Sequence, residues 1–575
     1  MVWDYALVHV KYTIPVGICL GLVYRPLLSR MGMYKIGFLI AGAVISTIPW
    51  DSYLIRHKIW TYPPGAIVGP TLQDIPAEEV FFFFIQTFNT SLLYLILTKT
   101  TFHPIYLGRG RSSHRTIGQV ILVIAILYGI AAVHNGGEGT YLGLILIWAC
   151  PFLLLLWSLA SDFLAHLPLT STVIPILVPT LYLWMVDTFA LRRGTWSISS
   201  GTKHGIELWR GLDIEEAVFF LLTNTMIVFG QVAFDNALAI LDTFPERFRD
   251  YTGLPSPPLL IQSLLLPKAK YHKERIAGLV NATTLLRKKS RSFYLASGAF
   301  EGKLRMDLVR LYAFCRAADD LVDEVASVDE AKLWIERLEQ FLQLAFGQKS
   351  SASELDDYVR EQFPEPIQQA LLQLPTDYLP SQPLHDLLKG FETDLLFSTS
   401  FPIVTIEDLD LYASRVAGTV AELCNCLILW HYSPDISEES RIRIVNGGVQ
   451  MGIALQYVNM ARDIAVDAGI GRVYIPSTWL RESGLEIEHV VQTPSGSSVE
   501  SLRQRLLDRA FAKYELARGA IDELPPEVRG PIRVAVESYM EIGRVLREPG
   551  YSIRAGKATV PLWRRIKAAW SALSQ

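Results

Sequence analysis

Two pairs of aspartates with the same spacing mark the C-terminal half of the sequence. Asp319 and Asp323 are four residues apart, and so are Asp463 and Asp467. On an α-helix, side chains four residues apart lie on one face. Carboxylates that face one another across a cavity repel unless cations lie between them, and hard oxygen ligands select Mg²⁺ or Mn²⁺. Because Mg²⁺ also binds substrate phosphates, the pairs predict a site for metal-bound diphosphates.

Each pair lies in a segment with the pattern of a buried helix. Residues 448–476 form an apolar run with one polar stripe, which consists of Gly452, Gln456, Asn459, Asp463 and Asp467. A surface helix shows the reverse pattern, so this helix is predicted to be buried, with its stripe lining a polar cavity. A similar face on residues 311–324 carries Tyr312, Arg316, Asp319 and Asp323. A cavity with apolar walls and an acidic mouth suits an isoprenoid diphosphate.

Six motifs carry a resemblance to a known family. They are SRSFYLAS at 290–297, DDLVD at 319–323, FETDL at 391–395, YASRVAGTV at 412–420, NMARDIAVD at 459–467 and GRVYIP at 471–476. With them, roughly residues 270–575 resemble the phytoene/squalene synthase branch of the trans-isoprenyl diphosphate synthases, and phytoene synthases most closely. The resemblance implies an all-α isoprenoid synthase domain. It also implies head-to-head condensation of two geranylgeranyl diphosphates to phytoene through the cyclopropyl intermediate prephytoene diphosphate.

The same resemblance implies roles for the residues around the cavity. The metal ligands are expected to be Asp319, Asp323, Asp463 and Asp467, which hold Mg²⁺ or Mn²⁺ on two diphosphates. Three arginines either bind diphosphate oxygens or form ordinary structural ion pairs: Arg316, Arg462 and Arg472. Five further residues either bind substrate from the walls or are satisfied core positions: Gln456, Asn459, Tyr294, Tyr412 and Tyr474. Asp394, the single aspartate of FETDL, ranks behind the paired acids.

The N-terminal half consists largely of apolar segments. Hydrophobic residues make up 50% of the chain and concentrate in residues 1–241. Seven segments approach the roughly 20 residues that a membrane-spanning helix needs: 5–24, 35–50, 77–98, 116–134, 140–160, 172–190 and 215–241. No basic segment precedes the first, so it is predicted to be a span rather than a signal peptide. Basic residues after the first and third spans, including Arg109 and Arg111, favour a cytosolic side for these loops and for the C-terminal domain.

An acid-rich pattern occurs twice in this half. The first copy comprises Asp51, Trp60, Glu78 and Glu79, and the second comprises Asp187, Trp196, Glu215 and Glu216. The aspartates and the tryptophans share the same offset between copies, and the offset of the glutamates is greater by a single position. Because the copies lie four spans apart, they have the same orientation, and all six acids are predicted to build one site on one side of the membrane. The alternative is that acids at span ends only mark the membrane interface.

Acids and aromatic rings together can catalyse an isomerisation. A desolvated carboxyl group beside other carboxylates can stay protonated and act as a general acid, and aromatic faces stabilise a carbocation. Protonation of an alkene, ring closure and loss of a proton change no oxidation state. This half resembles the small membrane lycopene cyclases, whose subunits occur fused in fungi. The order of the two halves resembles the fungal bifunctional lycopene cyclase/phytoene synthases, which implies cyclisation of lycopene to γ- and β-carotene.

Composition and the positions of proline-rich and polar segments indicate the domain organisation. The resemblances divide the chain into a membrane lycopene β-cyclase domain at 1–241, a proline-rich linker at 242–268 and a phytoene synthase domain at 269–575. The 53 basic and 57 acidic residues make no electrostatic case for nucleic acid. No GxGxxG fingerprint follows an early strand, so no FAD- or NAD-binding Rossmann domain is expected. The polar stretches 350–357 and 493–500 are predicted to be surface loops.

Two rival functions remain at this stage. The C-terminal domain could be a squalene-synthase-type prenyltransferase, which requires a nicotinamide reductant, and the N-terminal half could be a non-catalytic or transporter-like membrane module. In the favoured reading, a multi-pass membrane protein takes geranylgeranyl diphosphate and lycopene as substrates and has the lipid bilayer as its partner. Association with a phytoene desaturase or with a second copy of the chain is compatible with the resemblance.

Overall fold

The computed structural model describes residues 3–108, 112–248, 253–347, 352–553 and 560–574. Arg109, Arg111 and residues 249–252 of the predicted linker lie outside this part of the chain. The chain divides into two compact units, Met1–Ile276 and Ala277–Gln575. Helices dominate both units, which confirms the all-α fold class.

The N-terminal unit contains seven helices that are long and apolar enough to span a membrane. They are α1 (Asp4–Leu27), α2 (Arg30–Arg56), α3 (Ala77–Thr98), α4 (Ser112–Asn135), α5 (Thr140–His166), α6 (Val173–Arg193) and α7 (Ile214–Thr243). Each coincides with a predicted span, since the apolar length needed to cross a bilayer is visible in the sequence. Helix α1 contains one π-helical turn, His9–Thr13.

The loops that follow α2 and α6 pair with each other. Two-residue strands β1 (Trp60–Thr61) and β4 (Ser197–Ile198) are antiparallel, and Thr61 lies opposite Ser197. The separation of Thr61 and Ser197 along the chain equals that of Asp51 and Asp187, so equivalent positions of the two repeats meet. Short hairpins then lead into α3 and α7: β2 (Thr71–Leu72) with β3 (Ile75–Pro76), and β5 (Glu207–Trp209) with β6 (Leu212–Asp213). The sequence repeat therefore appears in the structure as a local two-fold arrangement.

The segment after α7 contains a short helix, α8 (Pro257–Leu264). It packs on the long apolar helices of the N-terminal unit, Met1–Ile276 (the membrane unit). Leu260 of α8 lies in a buried cluster with Phe234 and Leu241 of α7. The Tyr34 hydroxyl donates a hydrogen bond of 2.8 Å to the Pro255 carbonyl oxygen. This part of the predicted linker is therefore held against α2 and α7.

The remaining helices belong to the C-terminal unit or lead into it. They are α9 (Lys273–Lys289), α10 (Arg291–Ser297), α11 (Gly302–Asp323), α12 (Val328–Phe346), α13 (Ala352–Gln362), α14 (Glu365–Leu372), α15 (Gln382–Leu396), α16 (Ile406–Ala413), α17 (Thr419–Tyr432), α18 (Glu438–Gly469), α19 (Ser477–Glu482), α20 (Ile487–Gln492), α21 (Ser497–Ala517), α22 (Pro526–Leu546) and α23 (Leu562–Leu573). Most of their buried apolar residues form one continuous core.

Helix α18 runs through this core, as its apolar faces predict. At Gly452 the helix approaches the segment Ser414–Gly418 so closely that a Cβ atom would lie 2.5 Å from the Ala417 carbonyl oxygen. Glycine is required there because any side chain would push the two segments apart. This contact places the polar stripe of α18 beside the π-helical turn that continues from α16.

The two loop predictions are wrong over part of their length. The described part of the stretch 350–357 belongs to α13, and α21 begins at Ser497. Leu355 and Tyr358 of α13 pack against the core. Small polar residues favoured a loop locally, but burial of an apolar face decided for a helix.

Candidate active sites

The aspartates of α11 lie in a cluster with basic residues. Arg316 is 2.8 Å from Asp319 and 2.5 Å from Asp320, and Lys289 is 3.1 Å from Asp320. Burial raises the pKa of Asp319 to about 7, and the charge of Asp323 adds to this effect. Asp320, the next residue on α11 after Asp319, therefore pairs with both of these basic residues.

The aspartates of α18 have a matching arrangement. Arg462 donates two hydrogen bonds to Asp463, of 2.8 and 2.5 Å. Burial raises the pKa of Asp467 to about 7, followed in effect by the charge of Asp463. Arg472, which follows α18 after a turn, donates a hydrogen bond of 2.8 Å to Asp323. This last bond connects the end of α11 to the segment after α18, so both acid pairs belong to one site.

The acid pairs fit divalent cations that are shared with substrate. Among the described residues, no group of three or more His, Cys, Asp or Glu side chains is arranged to hold a metal by itself. Mg²⁺ keeps several waters and binds one or two carboxylates together with substrate phosphates, so two carboxylates on each helix are a sufficient protein contribution. Burial raises the pKa of Asp319 and Asp467, and the charge of the other aspartate of each pair adds to the shift, so a bound cation would favour the ionised pair.

Asp394 on α15 lies at the centre of a hydrogen-bonded group. It accepts hydrogen bonds from the hydroxyls of Tyr412, at 3.1 Å, and Tyr474, at 2.7 Å. The two rings are stacked, with centroids 5.0 Å apart. Burial raises the pKa of Asp394 to about 6, although Arg472 and both tyrosines act against the shift. The sequence ranked Asp394 behind the paired acids because no second acid lies four residues from it. Its partners, Tyr412 and Tyr474, come from two other segments.

The other predicted wall residues fall into two groups. Asn459 donates a hydrogen bond of 3.1 Å to Gln456 and accepts one from Tyr539 of α22. No motif pointed to Tyr539. Tyr294 packs in an apolar cluster with Leu286 and Val309, and this cluster also includes Tyr312 of α11.

In the membrane unit, one glutamate of each pair points inward to tyrosines. Glu79 accepts hydrogen bonds from the hydroxyls of Tyr5, at 2.5 Å, and Tyr62, at 2.7 Å. Glu216 accepts one from the hydroxyl of Tyr141, at 2.6 Å. Tyr5 and Tyr141 are separated by the same offset as Asp51 and Asp187, so they are equivalent positions of the repeat. The repeat therefore extends to α1 and α5, and its constant offset is the signal in the sequence that connects the two tyrosines.

The other glutamate of each pair holds the preceding loop. Glu78 accepts a hydrogen bond of 2.6 Å from the backbone N–H of Val68, and Glu215 accepts one of 2.8 Å from that of His204. Val68 and His204 are again equivalent positions of the repeat. The His204 ring lies 2.9 Å from Glu215 as well. Successive residues point about 100° apart on a helix, which explains why the two glutamates of a pair have different partners.

The two aspartates of the repeat are buried near Glu79 and Glu216, the glutamates that accept hydrogen bonds from tyrosines (the inner glutamates). Asp51 and Asp187 are only 3% and 1% exposed. Asp187 accepts a hydrogen bond of 3.2 Å from the Trp196 indole. Asp51 lies within electrostatic range of Glu79, and Asp187 within range of Glu79 and Glu216. The structure thus brings acids of both repeats together.

Aromatic rings surround this acid cluster. Trp50 stacks on Trp148 with ring centroids 4.6 Å apart and on Phe219 with centroids 5.6 Å apart. Trp60 and Trp196, the equivalent tryptophans of the repeats, lie 6.2 Å apart. The face of an aromatic ring stabilises a cation that lies within about 6 Å of the ring centroid. The arrangement of carboxyl groups within an aromatic wall suits the formation and protection of a carbocation.

Comparison with known proteins gives matches over the whole chain. The squalene/phytoene synthase family matches residues 286–564. The full chain is 63% identical to a bifunctional lycopene cyclase/phytoene synthase of Gibberella fujikuroi and 56% identical to one of Phaeosphaeria nodorum, with all of both chains covered in each case. A third such protein, from Neurospora crassa, is 47% identical over 99% of each chain.

Two solved structures are similar to part of the chain. A dehydrosqualene synthase in complex with ligand is 24% identical, with a TM-score of 0.43, and the match covers 52% of this chain and 96% of that one. A squalene synthase from Alicyclobacillus acidocaldarius is 23% identical, with a TM-score of 0.40, and the match covers 49% and 97%. The identity to full-length relatives is what decides the assignment: the chain belongs to the bifunctional lycopene cyclase/phytoene synthase family.

Proposed function

We propose that the two activities of this family reside in separate parts of the chain. Phytoene synthesis belongs to the predicted domain 269–575, lycopene cyclisation belongs to 1–241, and residues 242–268 lie between them. The observation that carries this assignment is that each unit contains its own carboxylate cluster. One is paired with arginines and the other with phenols and indoles.

The synthase joins two geranylgeranyl diphosphates head to head. The first condensation gives prephytoene diphosphate and releases one diphosphate, and loss of the second diphosphate and a proton gives phytoene. The residues that would hold Mg²⁺ or Mn²⁺ on these diphosphates are Asp319, Asp323, Asp463 and Asp467. When bound, the divalent cation neutralises the charge that develops on the leaving group.

The basic and polar residues position the diphosphates and the chains. Arg316, Arg462 and Arg472 orient the aspartates, and each guanidinium has further N–H donors for diphosphate oxygens. Asp394 fixes the hydroxyls of Tyr412 and Tyr474 in place. Substrate contacts are also proposed at the remaining wall positions, Gln456, Asn459 and Tyr294. Tyr539 donates a hydrogen bond to Asn459, which in turn donates one to Gln456. Tyr294 lies on helix α10.

The cyclase adds and removes a proton at the end groups of lycopene, giving γ-carotene after one ring and β-carotene after two. The acid cluster supplies the proton transfers, and the tryptophan and phenylalanine faces stabilise the intermediate cation. Its acids are Asp51, Glu78, Glu79, Asp187, Glu215 and Glu216. The inner glutamates, Glu79 and Glu216, act on the substrate, whereas Glu78 and Glu215 hold the loops that close the site.

The pigment of a lycopene-producing bacterium tests the cyclase assignment. The variant Asp463→Asn of the full chain should still turn such cells from red to yellow-orange, because the cyclase does not need the synthase site. Cells that stay red while the protein is present in the membrane would contradict the assignment.

The membrane is the natural environment for both steps. Seven apolar helices embed the cyclase, lycopene and phytoene dissolve in the bilayer, and the basic loops favour a cytosolic synthase. Lipid is therefore the proposed partner of the N-terminal unit. Association with a phytoene desaturase, which must convert the product of one site into the substrate of the other, or with a second copy of the chain would shorten the transfer of intermediates.

A further inference from the structure

The repeats differ around their inner glutamates. Tyr5 in the first repeat is matched by Tyr141 in the second, but Tyr62 is matched by Ile198. As a result, one oxygen of Glu79 accepts hydrogen bonds from two phenol hydroxyls, whereas Glu216 accepts one from the phenols of the described residues. The two repeats therefore differ in the hydrogen bonds that their inner glutamates accept.

Glu79 has the hydrogen-bond environment of a carboxylate. Two O–H groups directed at a single oxygen stabilise a negative charge on that oxygen. Tyr62, which lies in the loop between α2 and α3, remains a donor because burial and then the charge of Glu79 raise its pKa well above the usual value for tyrosine. A carboxylate held in this way can accept a proton from a nearby carbocation.

Glu216 has the environment of a neutral acid. Its side chain is fully buried, and its oxygen Oε2 has no hydrogen-bond partner among the described residues. A buried carboxylate oxygen without a donor is unfavourable, whereas a protonated carboxyl group has an O–H that is free to donate. The rings of Phe219 and Phe220 follow Glu216 on the same helix and pack into the aromatic wall.

We infer that the repeats divide the proton transfer between them: Glu216 donates the proton that starts ring closure, and Glu79 accepts the proton that ends it. This inference rests on the proposed cyclase function. The proton from Glu216 adds to C2 of the terminal C1=C2 double bond and leaves a cation at C1. The electron pair of C5=C6 then forms the C1–C6 bond and moves the cation to C5.

Loss of the C6 proton to Glu79 forms the C5=C6 double bond of the β-ring. No electrons are gained or lost, and one proton passes from Glu216 to Glu79 for each ring. The proton then returns to Glu216 before the next ring. Asp51 and Asp187, which lie within electrostatic range of the inner glutamates, provide carboxyl groups for this return.

The test is the structure of the rings that each variant makes. Full-length protein in lipid nanodiscs receives lycopene, and lycopene consumption and ring type are measured by chromatography and mass spectrometry. Glu216→Gln should lower consumption by about 10²-fold or more, the usual scale for removal of a general acid. Glu79→Gln should still consume lycopene but should produce rings in which the proton left C4 or the C5 methyl group, because the cation at C5 outlives its normal base.

Tyr62→Phe and Tyr141→Phe form a matched pair. Tyr62→Phe removes the donor that only the first repeat has, so it should shift the ring type in the same direction as Glu79→Gln. Tyr141→Phe should change consumption rather than ring type. Unchanged helix content by circular dichroism and a single peak in size-exclusion chromatography of the nanodisc samples show that the N-terminal unit of each variant is folded.

The results distinguish failure of the divided proton transfer from failure of the proposed cyclase site. If Glu79→Gln and Glu216→Gln lower consumption equally and leave only β-rings, or if Asp187→Asn stops consumption while Glu216→Gln does not, the division of roles is wrong and the site stands. If none of the six acids affects cyclisation, the proposed site itself is wrong.

Discussion

The acid clusters of the two units have different partners: the aspartates of the synthase are half-buried beside arginines, and the glutamates of the cyclase are buried beside phenols. In the C-terminal unit, Asp319 and Asp463 lie against the guanidinium groups of Arg316 and Arg462. In the membrane unit, the inner glutamates Glu79 and Glu216 accept hydrogen bonds from neutral phenols. A neighbouring guanidinium favours the ionised form of a carboxylate, which metal binding requires, whereas neutral donors leave it able to exchange a proton. The same residue type thus serves two chemistries, and its partners decide between them.

Removal of divalent cations should separate the two units most sharply. Excess EDTA should abolish phytoene formation and leave cyclisation of supplied lycopene unchanged, because all four proposed metal ligands lie in the synthase unit. Readdition of Mg²⁺ or Mn²⁺ should restore phytoene. Both products are measured in one membrane preparation, and phytoene synthesis in metal-free buffer would refute the proposed ligands.

Substitution of a single metal ligand should have nearly as large an effect. Asp319→Asn or Asp463→Asn should lower phytoene synthesis by about 10³-fold, since the amide keeps the shape of the side chain but loses the charge that holds the cation. Cyclisation by the same variants should remain at the wild-type rate. If cyclisation also fell in correctly inserted protein, the two units would not function independently.

The inner and outer glutamates of the cyclase provide a comparison within one unit. The inner variants Glu79→Gln and Glu216→Gln should disturb cyclisation, with a loss of about 10²-fold in rate for at least one of them. The outer variants Glu78→Gln and Glu215→Gln should keep rates within a few-fold, because an amide oxygen still accepts the backbone N–H of the loop. Steady-state rates with supplied lycopene check this, and equal effects at inner and outer positions would remove the distinction.

Asp394 should show the smallest effect of the four. Asp394→Asn leaves only one good acceptor for the two hydroxyls of Tyr412 and Tyr474, so phytoene synthesis should fall by about tenfold, the scale of losing one charged hydrogen bond. Asp386→Asn is the matched control, because Asp386 lies on the same helix and pairs only with surface residues such as Lys389. A wild-type rate for Asp394→Asn would show that Asp394, Tyr412 and Tyr474 only stabilise packing and do not contribute to phytoene synthesis.

Much of this architecture is written in local sequence patterns. The seven spans follow from apolar length, and the helices α11 and α18 follow from residues repeating about every 3.6 positions. The equivalence of Asp51 with Asp187 follows from the constant offset of the repeat. These features depend on neighbours within one helix or on comparison of the chain with itself, so no long-range information is needed.

Tertiary structure decided the rest. Which glutamate of each pair faces the aromatic interior depends on how α3 and α7 are rotated in the bundle, and Tyr5, Tyr62 and Tyr141 reach them from other segments. Asp394 gains its importance only when α15, α16 and the segment after α18 meet. A carboxyl group carries the same atoms everywhere in the sequence, but its proton affinity depends on the donors that the fold brings to it, and those donors are distant along the chain.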